Sequence, residues 1–411
     1  MPQSDGRKLM LEGVTVLDFT QYLAGAGVTR MMAELGAEIW KIELPDVGDG
    51  GRLLPHVTAN GRSGFFAHHN RGKKSLAVDW TKPEGLDLIK TLAAKADVVT
   101  ENFGNGEIMA KRGLDYESLA EANPGLIYLS VSAFGRNSPW ANKSGYDYIA
   151  QAASGLMHMT GEPDRPPAIV WSALGDTNGA VHGFGALGYA LYHKAMTGEG
   201  QWIDLSMTDA LFHCHEMQLE VNHLTRGEYV PIRYGAHHAL IYPAGTFKGP
   251  EGWIVVLALD LQWSNYCESM GRPDLIDDPR YATMADRVAN RDELIKLTEE
   301  WMATFDTDEE VLDVLEQFRV PAGPVLSPLD ALDHPYFKAR DMVRWMKDPY
   351  IDEEIPVPGF PFKFSAQPEL PDIVAPTLGQ HNQEILGQVL GLSEQEVTLL
   401  TESGVLAERG I

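Results

Sequence analysis

Asp176 is the residue best placed to do covalent chemistry. It stands in Leu174-Gly175-Asp176-Thr177-Asn178-Gly179, behind the apolar stretch 168–174 and ahead of a Gly-rich segment. Glycines on both sides leave room for a bulky electrophile, and a carboxylate can serve as a covalent nucleophile. The same residue at a helix start also suits a capping role, because a carboxylate there meets free N–H groups and the positive end of the helix dipole. The residues alone leave both readings open.

Other candidates are weaker. Gly25-Ala26-Gly27-Val28-Thr29-Arg30 follows a strand pattern and opens a helix, but Arg30 stands where a dinucleotide fingerprint needs its third glycine. Its alternative is a small-residue turn that lets helix and sheet pack closely. Arg71-Gly72-Lys73-Lys74 and Lys111-Arg112 are the basic runs of the N-terminal half, each readable as a phosphate site or a solvated loop. The thirteen histidines include no HExxH spacing and no Cys/His ligand set, so no metal site is expected. No GxSxG elbow is present.

The elements that would position these residues alternate. Strand patterns at Val14–Phe19, Ala37–Glu43, Ser75–Val78, Asp97–Thr100, Leu126–Val131 and Trp202–Leu205 are separated by helical patterns. These predict helices at Val28–Leu35, Lys82–Ala94, Leu114–Ala122 and Gly179–Lys194, and a long helix from Thr208. Such alternation implies an α/β, Rossmann-like open sheet. Near Leu224 the texture changes. A smaller α+β domain is expected over 225–330, after a large domain over 1–224. Residues 331–411 read as a linker and a tail that is Pro-rich from Pro356 and ends in short helices. Within the smaller domain, Asp286–Phe305 and Asp308–Phe318 read as amphipathic helices.

A length of 411 residues favours two domains. The 33 basic and 58 acidic side chains give a net charge of −25, which repels nucleic acid and anionic membranes. Two cysteines, Cys214 and Cys267, make no disulfide framework and read as buried apolar residues of a reducing compartment. The start, MPQSDGRKLM, lacks a signal peptide's apolar core, and no run of about 18 apolar residues occurs. A cytoplasmic protein is expected.

Taken together, LEGVTVLDFTQYLAGAGVTRMMAELGAEIWKIE, NRGKKSLAVDWTKPEG, ADVVTENFGNG, GLIYLSVSAFG, GYDYIAQAASG, LGDTNGAVHG, TGEGQWIDLSMTDA, VPAGPV and APTLGQHN run collinearly along nearly the whole chain. In these segments the chain resembles the class III CoA-transferases, the family of formyl-CoA and carnitine-CoA transferases. The resemblance implies an interlocked homodimer, a smaller domain inserted in a large domain to which residues 331–411 return, coenzyme A and acyl-CoA as substrates, small carboxylic acids as partners, and no tightly bound cofactor. It makes Asp176 the nucleophile, carrying aspartyl-anhydride and aspartyl-CoA intermediates. It assigns CoA contacts to Gln21, Ala24, Val78, Asp79, Trp80, Thr81, Asn102, Phe103, Gly104, Lys111 and Tyr146. It places Phe65, Tyr146 and Asp147 at the acyl end.

The chain departs from formyl-CoA transferases at Leu23, Phe65 and Leu44, and no polyglycine loop lies between Leu224 and Trp253. Formyl-CoA and oxalate therefore fit poorly, and the resemblance implies succinyl-CoA as the default donor. Three alternatives stand beside this reading. A related racemase would need a histidine where Tyr146 stands, and tyrosine is a poor proton shuttle at neutral pH. An NAD-dependent oxidoreductase would use the Gly25 turn. A non-catalytic acyl-CoA-binding protein would share the site without the chemistry. Backbone N–H groups at the helix start by Asp176 are the expected oxyanion donors.

Overall fold

The protein is described here by a computed structural model covering residues 8–54, 61–350, 353–366, 370 and 373–409. Most of the segment examined for a leader lies outside these residues. The chain divides into two compact units. One holds the chain up to Leu156, Val170–Glu216 and the chain from Tyr336, while the other holds Met157–Ile169 and Met217–Pro335.

The first unit is built on six parallel strands: β1 (Thr15–Asp18), β2 (Glu38–Glu43), β3 (Lys74–Ala77), β4 (Val98–Glu101), β5 (Ile127–Ser132) and β6 (Gln201–Ser206). Their order is β3-β2-β1-β4-β5-β6. The chain winds outward from β1 to β3, then returns to the other side of β1 and winds out again. Strand direction never changes, so the loops leaving β1 and β4 diverge and open a crevice at the carboxyl ends of these strands.

Parallel strands are covered on both faces, and the pattern of β1 shows why. Val16 enters a core with Val28, Met31, Met32, Ala180 and Leu187. Its neighbour Leu17 enters the opposite core with Ile89, Leu92, Leu386, Val397 and Leu406. The first face is covered by α1 (Ala24–Glu34) and the long helix Leu174–Thr197. The second takes the helix Pro83–Ala93 and the chain's C-terminal residues, with Val78 and Leu406 forming an antiparallel bridge beside β3.

The Gly25–Arg30 segment lies within α1 rather than in a turn before it. A Cβ on Gly27 would meet Ala180 Cβ at 3.0 Å, and one on Gly183 would meet Val28 Cγ2 at 2.9 Å. These glycines let two helices approach closely. With Gly27 buried in that contact and Gly25 packed against the Thr20 side chain, the dinucleotide reading fails. The long helix begins five residues before the predicted Gly179. The helix predicted from Thr208 is only Met207–Phe212, ending at His213-Cys214-His215, three poor helix formers. Cys267 is buried as expected, but Cys214 is exposed.

The second unit carries an antiparallel sheet of β7 (Ala244–Lys248), β8 (Trp253–Leu257) and β9 (Ala322–Pro324). The predicted helix over 286–305 breaks at Asn290 into Met284–Ala289 and Arg291–Met302. With the helix Asp308–Gln317, these pack Phe247, Ile254, Val256, Leu294, Met302, Val311 and Leu315 into a separate core. Among the described residues, no helix is long and apolar enough to cross a membrane.

Candidate active site

A crevice of about 360 Å³ opens where β1 and β4 part. The β1 loop supplies Gln21, Tyr22 and Leu23, with Ala24 at the start of α1. The β4 loop supplies Asn102, Phe103 and Gly104. The end of β5 and the residue after it give Val131, Ser132 and Ala133. Gly145, Tyr146, Asp176 and Met207 complete the wall. Residues more than 150 positions apart thus converge because their strands end at one edge.

The β1 loop is held in an unusual conformation. Tyr22 has φ +61°, a region that L-residues other than Gly, Asn and Asp seldom enter. Asn102 Oδ1 accepts from Gln21 N at 2.9 Å, and Asn102 Nδ2 donates to Gln21 O at 2.8 Å, tying the two loops across the crevice. Asp49 Oδ1 accepts from Tyr22 N at 3.0 Å.

Beneath the loop lies a bed of buried ion pairs. Lys73 Nζ meets Asp18 Oδ2 at 2.9 Å, and Lys41 Nζ meets Asp49 Oδ2 at 2.8 Å. Lys41 also donates to Thr20 O at 2.6 Å. Glu43 receives Arg52 at 2.7 Å and the Ser75 hydroxyl at 2.6 Å. Burial pushes the Asp18 carboxyl up, but Lys73, Lys41 and the Thr20 hydrogen bonds more than offset it and hold the group at about 2. Arg71 pairs with Glu34 at 2.6 Å, and Lys74 with Glu38 and Glu384 at 3.1 and 2.8 Å. The Arg71–Lys74 run is therefore neither a phosphate site nor a solvated loop. Its cations are structural.

Asp176 has the opposite surroundings. It is the third residue of the long helix and does not cap it; that end is met by Asp147, whose Oδ1 accepts from Gly175 N at 2.5 Å and Asp176 N at 3.3 Å. Among the described residues, no donor hydrogen-bonds the Asp176 carboxylate and no cation pairs with it. Burial, with the nearby Asp147 carboxylate second, pushes its pKa up to about 7. Such a group is ionised at mildly alkaline pH, poorly solvated and more basic than an ordinary carboxylate, which suits a nucleophile. The N–H groups of Gly175 and Asp176 are already taken, so they do not supply the oxyanion donors expected at this helix start.

Of the residues assigned by resemblance, the crevice brings together Gln21, Ala24, Asn102, Phe103, Gly104, Tyr146 and Asp176. The others stand elsewhere. Val78 and Trp80 are buried, and Asp79 accepts from Thr81 Oγ1 at 2.5 Å. Trp80 supports the crevice from behind, its ring 5.8 Å from that of Phe103 and 5.3 Å from that of Phe19. Lys111 is exposed and paired with Glu107 at 2.9 Å, while Arg112 stacks over Trp80 at 5.3 Å. Phe65 lies against His69, ring centroids 4.6 Å apart, and does not line the crevice. Asp147 is buried against the helix start. Sequence reasoning missed Ser132, Ala133 and Met207, which the exits of β5 and β6 deliver; the strand order would have found them.

A buried, unpaired carboxylate at the switch point of a six-stranded α/β sheet, beside an Asn-Phe-Gly loop, is an arrangement suited to acyl-group chemistry. CoA-transferase family III matches residues 11–382, and the chain belongs to this family. It is 37% identical to the succinyl-CoA:mesaconate CoA-transferase of Haloarcula hispanica, over 92% of this chain and 96% of that one. It is 35% identical to the human succinyl-CoA:glutarate CoA-transferase, over 98% and 92%. A crystal structure of a CAIB/BAIF family protein from Brucella suis aligns with a TM-score of 0.80 at 35% identity, covering 93% of this chain and all of that one. The protein is thus a CoA-transferase, moving CoA between carboxylic acids.

Proposed function

We propose that the protein takes CoA from succinyl-CoA and passes it to a second small carboxylic acid through covalent intermediates on Asp176. The observation that carries this is the bare carboxylate of Asp176, raised to about 7 inside a crevice that also holds the Asn102-Phe103-Gly104 loop. The donor follows from the relatives, whose names pair succinyl-CoA with mesaconate or glutarate.

In the first step an Asp176 oxygen attacks the thioester carbonyl carbon. The carbon–sulfur bond breaks, leaving a mixed anhydride and CoA thiolate. The thiolate attacks the aspartyl carbonyl, the donor acid leaves as its carboxylate, and an aspartyl-CoA thioester forms. The acceptor carboxylate then attacks that thioester and the same steps run in reverse, regenerating Asp176. Acyl activation is conserved throughout, so no nucleotide is consumed. Splitting one exchange into displacements at a fixed carboxylate is covalent catalysis. Excluding water protects both intermediates from hydrolysis.

Asn102, with Gln21 and Gly104, shapes the wall against which the thioester end of CoA lies, and Tyr146 faces its acyl group. Val78–Thr81 and Lys111 meet the more distant parts of CoA. Phe65 and Asp147 belong to the acyl end through the helices that bear them. Domain boundaries near 225 and 330 are part of the same reading, as is a cytoplasmic location.

The working form in this reading is an interlocked homodimer. Its support is an apolar stripe on the long helix. Val181, Tyr189, Tyr192 and Met196 are exposed, Tyr189 by 81% and Tyr192 by 68%, and Gly185 and Gly188 have open space at their Cβ positions. Sedimentation equilibrium tests it, since a wild-type monomer at micromolar concentration contradicts the dimer.

Mass spectrometry decides the chemistry. Incubation with succinyl-CoA, then borohydride or hydroxylamine trapping, should place a modification on the peptide containing Asp176. Turnover without any species there refutes the pathway.

A further inference from the structure

The turn entering the long helix is strained and gripped from one side. Ala173 sits at φ +50°, and no side chain of its own caps the helix that follows. Two buried residues of the helix Asp147–Ala153 hold the segment on both sides of this turn. Gln151 is 2% exposed. Its Oε1 accepts from Val170 N at 3.0 Å, and its Nε2 donates to Val170 O at 3.1 Å. Asp147 is 6% exposed, and its Oδ1 takes the N–H groups of Gly175 and Asp176. The two clamp residues are joined, Gln151 Nε2 donating to Asp147 Oδ2 at 2.8 Å.

Gly175 is fitted to this grip. A Cβ there would stand 2.9 Å from Asp147 Oδ1 and 3.3 Å from Asp147 O, so any larger residue would push the carboxylate away. The glycine before Asp176 thus serves the approach of Asp147 as well as the room around the nucleophile.

We propose that Asp147, steadied by Gln151, is a positioning residue: it clamps the turn between Val170 and Asp176 and fixes where the Asp176 carboxylate stands in the crevice. This rests on the assignment of Asp176 as nucleophile. Its oxygens are spent on protein donors, so its work is done through Asp176 and not by touching the acyl group. A misplacement of about 1 Å at a reacting group costs roughly 100-fold in rate, which sets the size of effect such a clamp controls.

The clamp also acts by charge. Among the described residues, Asp147 is the charged group whose field, after burial, raises the Asp176 pKa. Of the surrounding elements, the β1 loop and the entry to the helix Asp147–Ala153 bring Tyr22 and Tyr146 to the crevice, while Cys214 and His213 meet the long helix beyond Asp176, at Asn178 and His182. Farther along its own helix stands His182. Removing the Asp147 charge lets Asp176 ionise at lower pH.

The test uses Asp147→Asn and Asp147→Ala in the full chain, with kcat and KM for succinyl-CoA measured from pH 5 to 9. Asp147→Asn keeps an oxygen acceptor for Gly175 N. It should lower kcat about 10-fold, leave KM within about 2-fold, and move the acid limb to lower pH. Asp147→Ala should lower kcat about 100-fold. If the alanine variant does not fold, the asparagine variant decides. A wild-type kcat with an unmoved acid limb overturns the proposal, and so does a loss confined to KM, which would make Asp147 a substrate contact.

Trapping at Asp176 separates the two assignments. Wild-type-rate adduct formation in Asp147→Ala removes the positioning role and leaves the nucleophile standing. No adduct in the wild-type chain, with normal turnover by Asp176→Asn, removes the nucleophile itself.

Discussion

Two groups of carboxylates border one crevice and are handled in opposite ways. Under the β1 loop, Asp18, Asp49 and Glu43 each face a cation: Lys73, Lys41 and Arg52. At the start of the long helix, Asp147 faces N–H groups and, among the described residues, the Asp176 carboxylate faces neither donor nor cation. The first arrangement holds Asp18 at about 2, and the second lets Asp176 rise to about 7. A charge that must stay put is paired. The charge proposed to react is kept bare, since a cation against it would stabilise the carboxylate and blunt its attack. The bed holds the strained Tyr22 turn, and the helix start presents the carboxylate proposed to react.

The comparison breaks most sharply at Asp176. Replacing it with Asn keeps the shape and removes the nucleophile. Transferase activity should fall about 10³-fold or more, with overall structure intact. Activity within a few-fold of wild type would put the reaction elsewhere.

The next largest effect is expected in the bed. Lys73→Met leaves Asp18 buried with its strongest partner gone, and breaking such a pair costs about 3–5 kcal/mol. Urea denaturation should show it. A loss under about 1 kcal/mol would mean that Lys41 and Thr20 suffice to hold Asp18.

The acid–base behaviour should differ in sign between the two regions. Asp18 has a depressed pKa in the folded state, so it stabilises the fold above about pH 4 and that gain is lost as pH falls through about 2. Asp176 has a raised pKa, so its ionisation costs stability above about pH 7 and costs nothing below about pH 4. Asp176→Asn should therefore melt higher than wild type at pH 8, with the difference gone at pH 4. Activity of the wild-type protein should follow the ionised fraction, rising with pH through about 7. An acid limb near pH 4 would mean that the Asp176 carboxyl is not perturbed.

How far the sequence carried these conclusions depends on range. Strand-helix alternation gave the α/β sheet, since apolar periodicity is local and every strand of the first sheet has it. The crevice was legible only in part. Gln21, Asn102 and Asp176 stand in segments distinctive enough to single out, but nothing local says that they meet; the order β3-β2-β1-β4-β5-β6 does that. The Arg71–Lys74 run was misread because its partners Glu34, Asp18, Glu38 and Glu384 lie 36 or more positions away, or up to about 310. Asp176 was open to a capping role because its helix start is visible in sequence, while the group that meets that start, Asp147, comes from another helix.

The smallest effect should come from a cation outside both groups. Lys111 is 71% exposed and pairs with Glu107 four residues earlier on a single helical turn. An exposed pair at this spacing is screened by solvent and contributes little, so Lys111→Ala should hardly move the melting temperature. If Lys111 meets a CoA phosphate, the same change should raise KM for acyl-CoA a few-fold, leave kcat alone, and weaken the dependence of KM on salt. A cation of this kind acts on the ligand and not on the fold, which is the reverse of Lys73. An unchanged KM would move the phosphate contact to another residue, and Arg112, stacked over Trp80 behind Phe103, is the one to change next.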